Sequence, residues 1–106
     1  MNTPIKQEHW NDANGNPAGG STFGPGFAIS WQNGPLGRDG ERKEPNGAFV
    51  ENIINAAIGR LEFYQASPFR CDENARALTY LKSALQECNA RTQKRESRKV
   101  EGTHAV

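Results

Sequence analysis

Apolar residues are sparse and unpatterned up to Phe23, and from residue 27 onward they fall into regular spacings. Phe27, Ile29 and Trp31 alternate with Ala28, Ser30 and Gln32, the period of a half-buried strand, and Gly24-Pro25-Gly26 and Asn33-Gly34-Pro35 bracket it with turns. Ser21-Thr22-Phe23 is the segment placed to pair with it. Phe49, Val50, Ile53, Ile54, Ala57, Ile58, Leu61 and Tyr64 then follow steps of three and four. They predict a helix from Asn46, read as an N-cap after a proline, to about Gln65, with Ser67-Pro68 as its stop. Leu78, Leu81, Leu85 and Cys88 continue the same spacing in a second helix, opened by Asp72 as cap and running to about Lys99 before Gly102. At 1.5 Å per residue that helix is about 42 Å long, more than the first can cover. Ala66–Cys71 joins the two as an antiparallel hairpin.

The fold class expected is α+β: a two-helix antiparallel hairpin with a small N-terminal β-hairpin. Residues 1–22 read as loop, because Asn14-Gly15, Asn16-Pro17 and Gly19-Gly20 are turn-forming pairs with no apolar period to oppose them. The organisation expected is a flexible arm over 1–20, a β-hairpin and connector over 21–44, and a helical hairpin domain over 45–106. The polar run Gly37–Glu44 receives no element. A chain of 106 residues buries a modest share of its surface, and the stripe from Phe49 to Tyr64 is wide enough to touch two neighbours. Self-association is therefore expected.

The apolar seam of the second helix turns polar at both ends. Continued backward it reaches Asn74, and continued forward it reaches Thr92 and Arg95. Polar groups on a core-facing stripe are costly unless they meet a partner, so they either leave the core or converge on something polar. Arg91, Lys94, Arg98 and Lys99 make the forward end cationic, so an anion such as a phosphate suits it. Net charge is only +1, which does not mark a general polyanion binder. Two cysteines without a signal peptide or an apolar run of membrane length point to a soluble protein of a reducing compartment. Their number, with no His at ligand spacing, argues against a zinc site. His9 and His104 are isolated, no nucleophile or paired carboxylates accompany them, and no Gly-Lys-Ser/Thr follows the glycines, so neither a catalytic set nor a P-loop is found.

A ligand carrying phosphates, sugars and a base needs cationic donors, a stacking ring and an amide side chain. Arg91 and Arg95, one helical turn apart, suit a pyrophosphate, Phe63 or Tyr64 can supply the ring, and Asn74 the amide. Each has a plainer reading: the arginines as a solvated helix terminus, the aromatics as core, Asn74 as a partner of its helix's first turn. A nucleic-acid-binding or regulatory protein is the competing class, with the basic end of the second helix and Trp10 and Trp31 as stacking residues. The near-neutral charge and the continuation of a buried seam argue against it.

Several blocks carry a family resemblance in order: Gly26–Gln32, Gly34-Pro35-Leu36-Gly37, Pro45–Glu51, Arg60–Gln65, Arg91-Thr92 and Val100–His104. Together, over roughly residues 13–106, they resemble the phage family of Thoeris anti-defence proteins, which share a helical hairpin with phage anti-CBASS nucleotide sponges. The resemblance implies a non-catalytic sponge without cofactor or metal, acting in the host cytoplasm. It would sequester cyclic ADP-ribose isomers, with cyclic di- or trinucleotides as a second ligand class, and assemble as a dimer or hexamer. It further implies that Arg38, an aromatic at Phe63 or Tyr64, Asn74, Arg91, Thr92 and Arg95 fall where the nucleotide pocket lies, with no membrane and no nucleic acid as partner.

Overall fold

The computed structural model describes residues 4–106, and the part of the expected flexible arm at residues 1–3 lies outside them. The chain forms strands β1 (Lys6–Asn11), β2 (Pro17–Gly24) and β3 (Phe27–Trp31), a single 3-10 turn at Asp39–Glu41, and helices α1 (Val50–Gln65) and α2 (Asp72–Ser97). This is an α+β fold. It divides into two compact units, one of residues up to Phe49 together with Lys99–Val106, the other Val50–Arg98.

In the first unit the strands make one antiparallel sheet in the order β1-β2-β3. Thr22 opposes Ile29 on β3 and Gln7 on β1, so the expected hairpin of residues 21–31 is present with a third strand added. Its turn has Pro25 and then Gly26 at φ +89°, which is the type II arrangement, since proline excludes a positive φ at the first central position. The reading of residues 1–22 as loop is corrected here: Lys6–Asn11 and Pro17–Gly24 are strands. Asn14-Gly15 is a turn, but one that joins two strands. The Asp12 carboxylate accepts from the Asn14 and Asn16 amides at 2.8 and 3.1 Å and Gly15 takes φ +82°, closing the β1–β2 link. All six β1 residues are exposed, so no apolar period announced the strand.

The connector after β3 is ordered by backbone contacts. Ala48 bridges Trp31 in parallel, and its amide donates to the Ser30 carbonyl at 2.7 Å. A Cβ on Gly47 would stand 2.5 Å from the Trp31 carbonyl carbon, so only glycine lets the chain pass there. Asn46 is not the cap of α1, which starts four residues later. Its side chain instead accepts from the Asn33 amide at 2.8 Å and donates to the Asn33 carbonyl at 3.0 Å, as a second strand would. The unplaced run from Gly37 folds over buried Leu36, whose carbonyl accepts from the Lys43 amide at 2.7 Å.

In the second unit α1 and α2 run antiparallel: late Glu62 pairs with early Lys82 at 3.7 Å, while early Glu51 is close enough to late Cys88 to act on its thiol. Ile58 is buried, and Ile53, Ile54, Leu61, Leu78, Leu81 and Leu85 are half-buried along the predicted seams. Asp72 is the first helical residue and not the cap; Cys71 holds the cap position without a side-chain bond. The Gln65 side chain instead holds Cys71 itself, accepting from its amide at 3.0 Å and donating to its carbonyl at 3.1 Å, which fixes the loop between the helices. α2 ends at Ser97, slightly short of Lys99. Among the described residues no helix is long and apolar enough to cross a membrane.

Candidate ligand-binding residues

Six of the seven residues expected to bind ligand lie on the helical hairpin, and they gather at its two opposite ends. At the end closed by the α1–α2 loop, the Phe63 and Tyr64 ring centroids are 6.0 Å apart and tilted by 54°. The Arg60 guanidinium lies 5.0 Å from the Phe63 centroid and 4.8 Å from that of Tyr64, so one cation serves two ring faces. Tyr64 is half-buried, whereas Phe63 is 61% exposed, too open for a core residue and suited to stack a planar group. Asn74, half-buried, sits in the first turn of α2 at this same end.

Arg91, Thr92 and Arg95 occupy the open end. About 26 Å of helix separates Asn74 from Arg91, since each residue rises 1.5 Å. One hairpin therefore does not gather the six into one pocket. Arg91 is exposed and Arg95 half-buried, one turn apart. Thr92 is exposed, and its hydroxyl donates back to the Cys88 carbonyl at 3.3 Å, a bond within its own helix. Beside them the half-buried Cys88 thiol is pushed above its ordinary value, by burial first and then by its hydrogen bond to the Glu51 carboxylate and that group's charge, with Arg91 pulling the other way.

Arg38 belongs to the other unit. Its guanidinium Nη1 donates to the Glu101 carbonyl at 2.9 Å and lies 3.9 Å from the Glu101 carboxylate, whose nearer partner is Arg42 at 2.7 Å. Sequence reasoning passed over Arg60, Arg42 and Glu101. Arg60 stands three and four residues before the two rings, a spacing that could have suggested a stack. Nothing local in the sequence joins Glu101 to an arginine 59 positions earlier. Among the described residues no group of three or more His, Cys, Asp or Glu stands together as a metal site.

Residues 26–93 match the Acb2/Tad1 hairpin domain. The chain is also similar to Thoeris anti-defense 1 of Bacillus phage SBSphiJ7, with 45% identity over 76 residues that take in 72% of this chain and 51% of that protein. It thus spans about half the length of that relative. The matched residues take in β3, the connector, α1 and α2 as far as Gln93, and with them Arg38, Phe63, Tyr64, Asn74, Arg91 and Thr92, while Arg95 lies beyond them. On a match that covers well over half of its length, this protein belongs to the Acb2/Tad1 hairpin-domain family.

Proposed function

We propose that this protein is a phage anti-defence sponge, which binds cyclic ADP-ribose-type immune signals in the infected host's cytoplasm and withholds them intact from Thoeris effectors. The observation that carries the reading is the family match over residues 26–93, joined to the likeness to a Thoeris anti-defense protein. The side chains support it chemically. An exposed ring with a guanidinium beside it stacks a purine, and two arginines one turn apart hold a pyrophosphate. Ligand contacts are assigned to Arg38, Phe63, Tyr64, Asn74, Arg91, Thr92 and Arg95, with Arg60 added.

Because the aromatic and arginine clusters stand at opposite ends of one hairpin, a ligand that touches both needs the loop end of one copy beside the open end of another. The apolar surface left on the helical unit supports this self-association: Val50, Phe63, Phe69 and Tyr80 are 53, 61, 78 and 69% exposed. Light scattering is expected to give a dimer or larger; a mass of 11.7 kDa refutes the shared site.

The decisive experiment loads the protein with a cyclic ADP-ribose isomer, removes free ligand, denatures by heat and identifies what is released. Intact ligand is the expected result. A degraded product makes the protein an enzyme, and no uptake ends the reading. Cyclic di- and trinucleotides tested in the same way establish whether CBASS-type signals are a second ligand class. Arg91→Ala and Arg95→Ala are each expected to weaken retention by roughly ten- to a hundredfold, the worth of one charge-assisted hydrogen bond. Short duplex DNA, titrated alongside, is expected to bind weakly; tighter binding of DNA than of the cyclic compound favours a nucleic-acid surface at the basic end of α2.

A further inference from the structure

The tail after α2 is tied to the connector by a cluster of which the ligand reading uses Arg38 alone. The Glu101 carboxylate accepts from Arg42 Nη1 at 2.7 and 3.0 Å, and the same Nη1 donates to the Gly37 carbonyl at 3.2 Å. The Gly37 amide donates to the Gly102 carbonyl at 2.8 Å. Gly102 takes φ +80°, and a Cβ there would overlap the Gly37 carbonyl oxygen, so the chain at this crossing admits no side chain. The Thr103 hydroxyl donates to the Val100 carbonyl at 2.6 Å, folding the tail into a turn on either side of Glu101. Glu101 and Arg38 are shielded to about the same degree, at 22 and 23% side-chain exposure, whereas Arg42 is more open at 44%.

The division of labour inside the cluster is informative. Of the two acceptors that residue 101 offers, the carboxylate lies nearest Arg42, and Arg38 lies nearer the backbone carbonyl, at 2.9 Å against 3.9 Å for the carboxylate. A carbonyl at hydrogen-bond distance fixes a guanidinium in direction. An arginine otherwise brings substantial rotamer entropy to any ligand, and a side chain already held in place gives up less on binding.

We propose that Glu101 is a positioning residue: its carboxylate anchors the tail on Arg42 so that its own carbonyl holds Arg38 in the orientation that receives an anionic group of the ligand. This inference rests on the reading of Arg38 as a ligand contact. Glu101→Gln keeps the shape and removes the charge that anchors the tail, so it is expected to weaken binding of a cyclic ADP-ribose isomer by about three- to tenfold. Gly102→Ala, which changes no charge and blocks the crossing, is expected to act in the same direction.

The test is a set of titrations with that cyclic compound on the full chain: wild type, E101Q, R38A, the double variant, and E101Q in an R91A background, with far-UV circular dichroism on each. If Glu101 acts through Arg38, E101Q adds nothing once Arg38 is gone and keeps its effect in the R91A background. A general structural role would cost as much in R38A as in wild type, and that result overturns the proposal. So does E101Q that binds as wild type, and so does E101Q that binds more tightly, which would make the carboxylate a competitor of the ligand. If R38A alone changes nothing, Arg38 is not a ligand contact, and the positioning role falls with that assignment while the arginines of α2 remain to be judged by their own variants.

Discussion

The two units of this protein are held together by different physics. In the N-terminal unit the buried positions are Leu36, Thr22 and the β2 glycines Gly19 and Gly20, so little apolar area is available to it. Its order comes from paired backbone and from polar side chains that complete the pairing. The Trp31 indole N–H donates to the Thr22 hydroxyl at 2.8 Å, that hydroxyl reaches Gln7 at 3.4 Å, and Asn46 stands in for a strand against Asn33. The helical unit is the reverse: a stripe of half-buried aliphatic residues around Ile58, with the Glu62–Lys82 ion pair at 3.7 Å across the two helices. A backbone hydrogen bond is complete once its two groups have met, although the sheet also leaves Trp10, Phe23 and Phe27 at 48, 40 and 42% exposure. An apolar stripe has no such end point, and it leaves Phe63, Phe69 and Tyr80 in reach of whatever docks next.

Both tryptophans, Trp10 and Trp31, lie in the N-terminal unit and both long helices in the other, so fluorescence and far-UV circular dichroism report the two separately. Ile58→Ala is expected to have the largest effect, a loss of about 2–5 kcal/mol, read as an earlier helical transition in urea at fixed protein concentration. Should that variant unfold as the parent does, the apolar seam is not what holds the hairpin.

Gly47→Ala probes the opposite principle. Its Cβ meets backbone at 2.5 Å, the Ala48 bridge to β3 has to open, and a loss of about 2–3 kcal/mol in the fluorescence transition is expected. If each variant moves both probes together, the two units unfold as one and the contrast drawn between them dissolves at the level of stability.

The same contrast governs what the sequence made legible. Elements that fold by burying area leave a period, and α1, α2 and the β2–β3 hairpin were readable from the spacing of Ile53, Leu81, Ile29 and their neighbours. Elements that fold by completing a pattern of hydrogen bonds do not. Lys6–Asn11 carries one apolar residue, Trp10, and becomes a strand because β2 offers it a partner, so it was read as loop. Asn46 reads as a helix cap because Asn is a favoured residue there, and in the fold the Asn33 backbone takes its side-chain amide instead. The candidate site follows the rule as well. Residues on a helix face could be named, and the predicted length of the second helix already set Asn74 and Arg91 toward its opposite ends, as the unbroken α2 does. The tie of Arg38 to Glu101 depends on a tail that returns to the connector, which no local pattern records.

The smallest effect expected tests the open end of the hairpin, where the arginines lie. Cys71 is exposed and Cys88 half-buried, and the Cys88 thiol is pushed up from its ordinary value by burial and by the nearby Glu51 carboxylate. Only the thiolate alkylates, so iodoacetamide near neutral to mildly alkaline pH should label Cys71 first and Cys88 several-fold more slowly. A raised value in the folded protein means that the proton is held more tightly folded than unfolded. Its contribution to stability is therefore complete below the unfolded value and fades as pH climbs through the folded one. Glu51→Gln removes the charge that opposes ionisation, so Cys88 should label faster in that variant while Cys71 does not change. Equal labelling of the two cysteines in the parent protein, unaltered by E51Q, would mean that the start of α1 does not lie against the end of α2. The arginine pair of α2 would then have to be sought in a different setting from the one that Glu51 and Cys88 define.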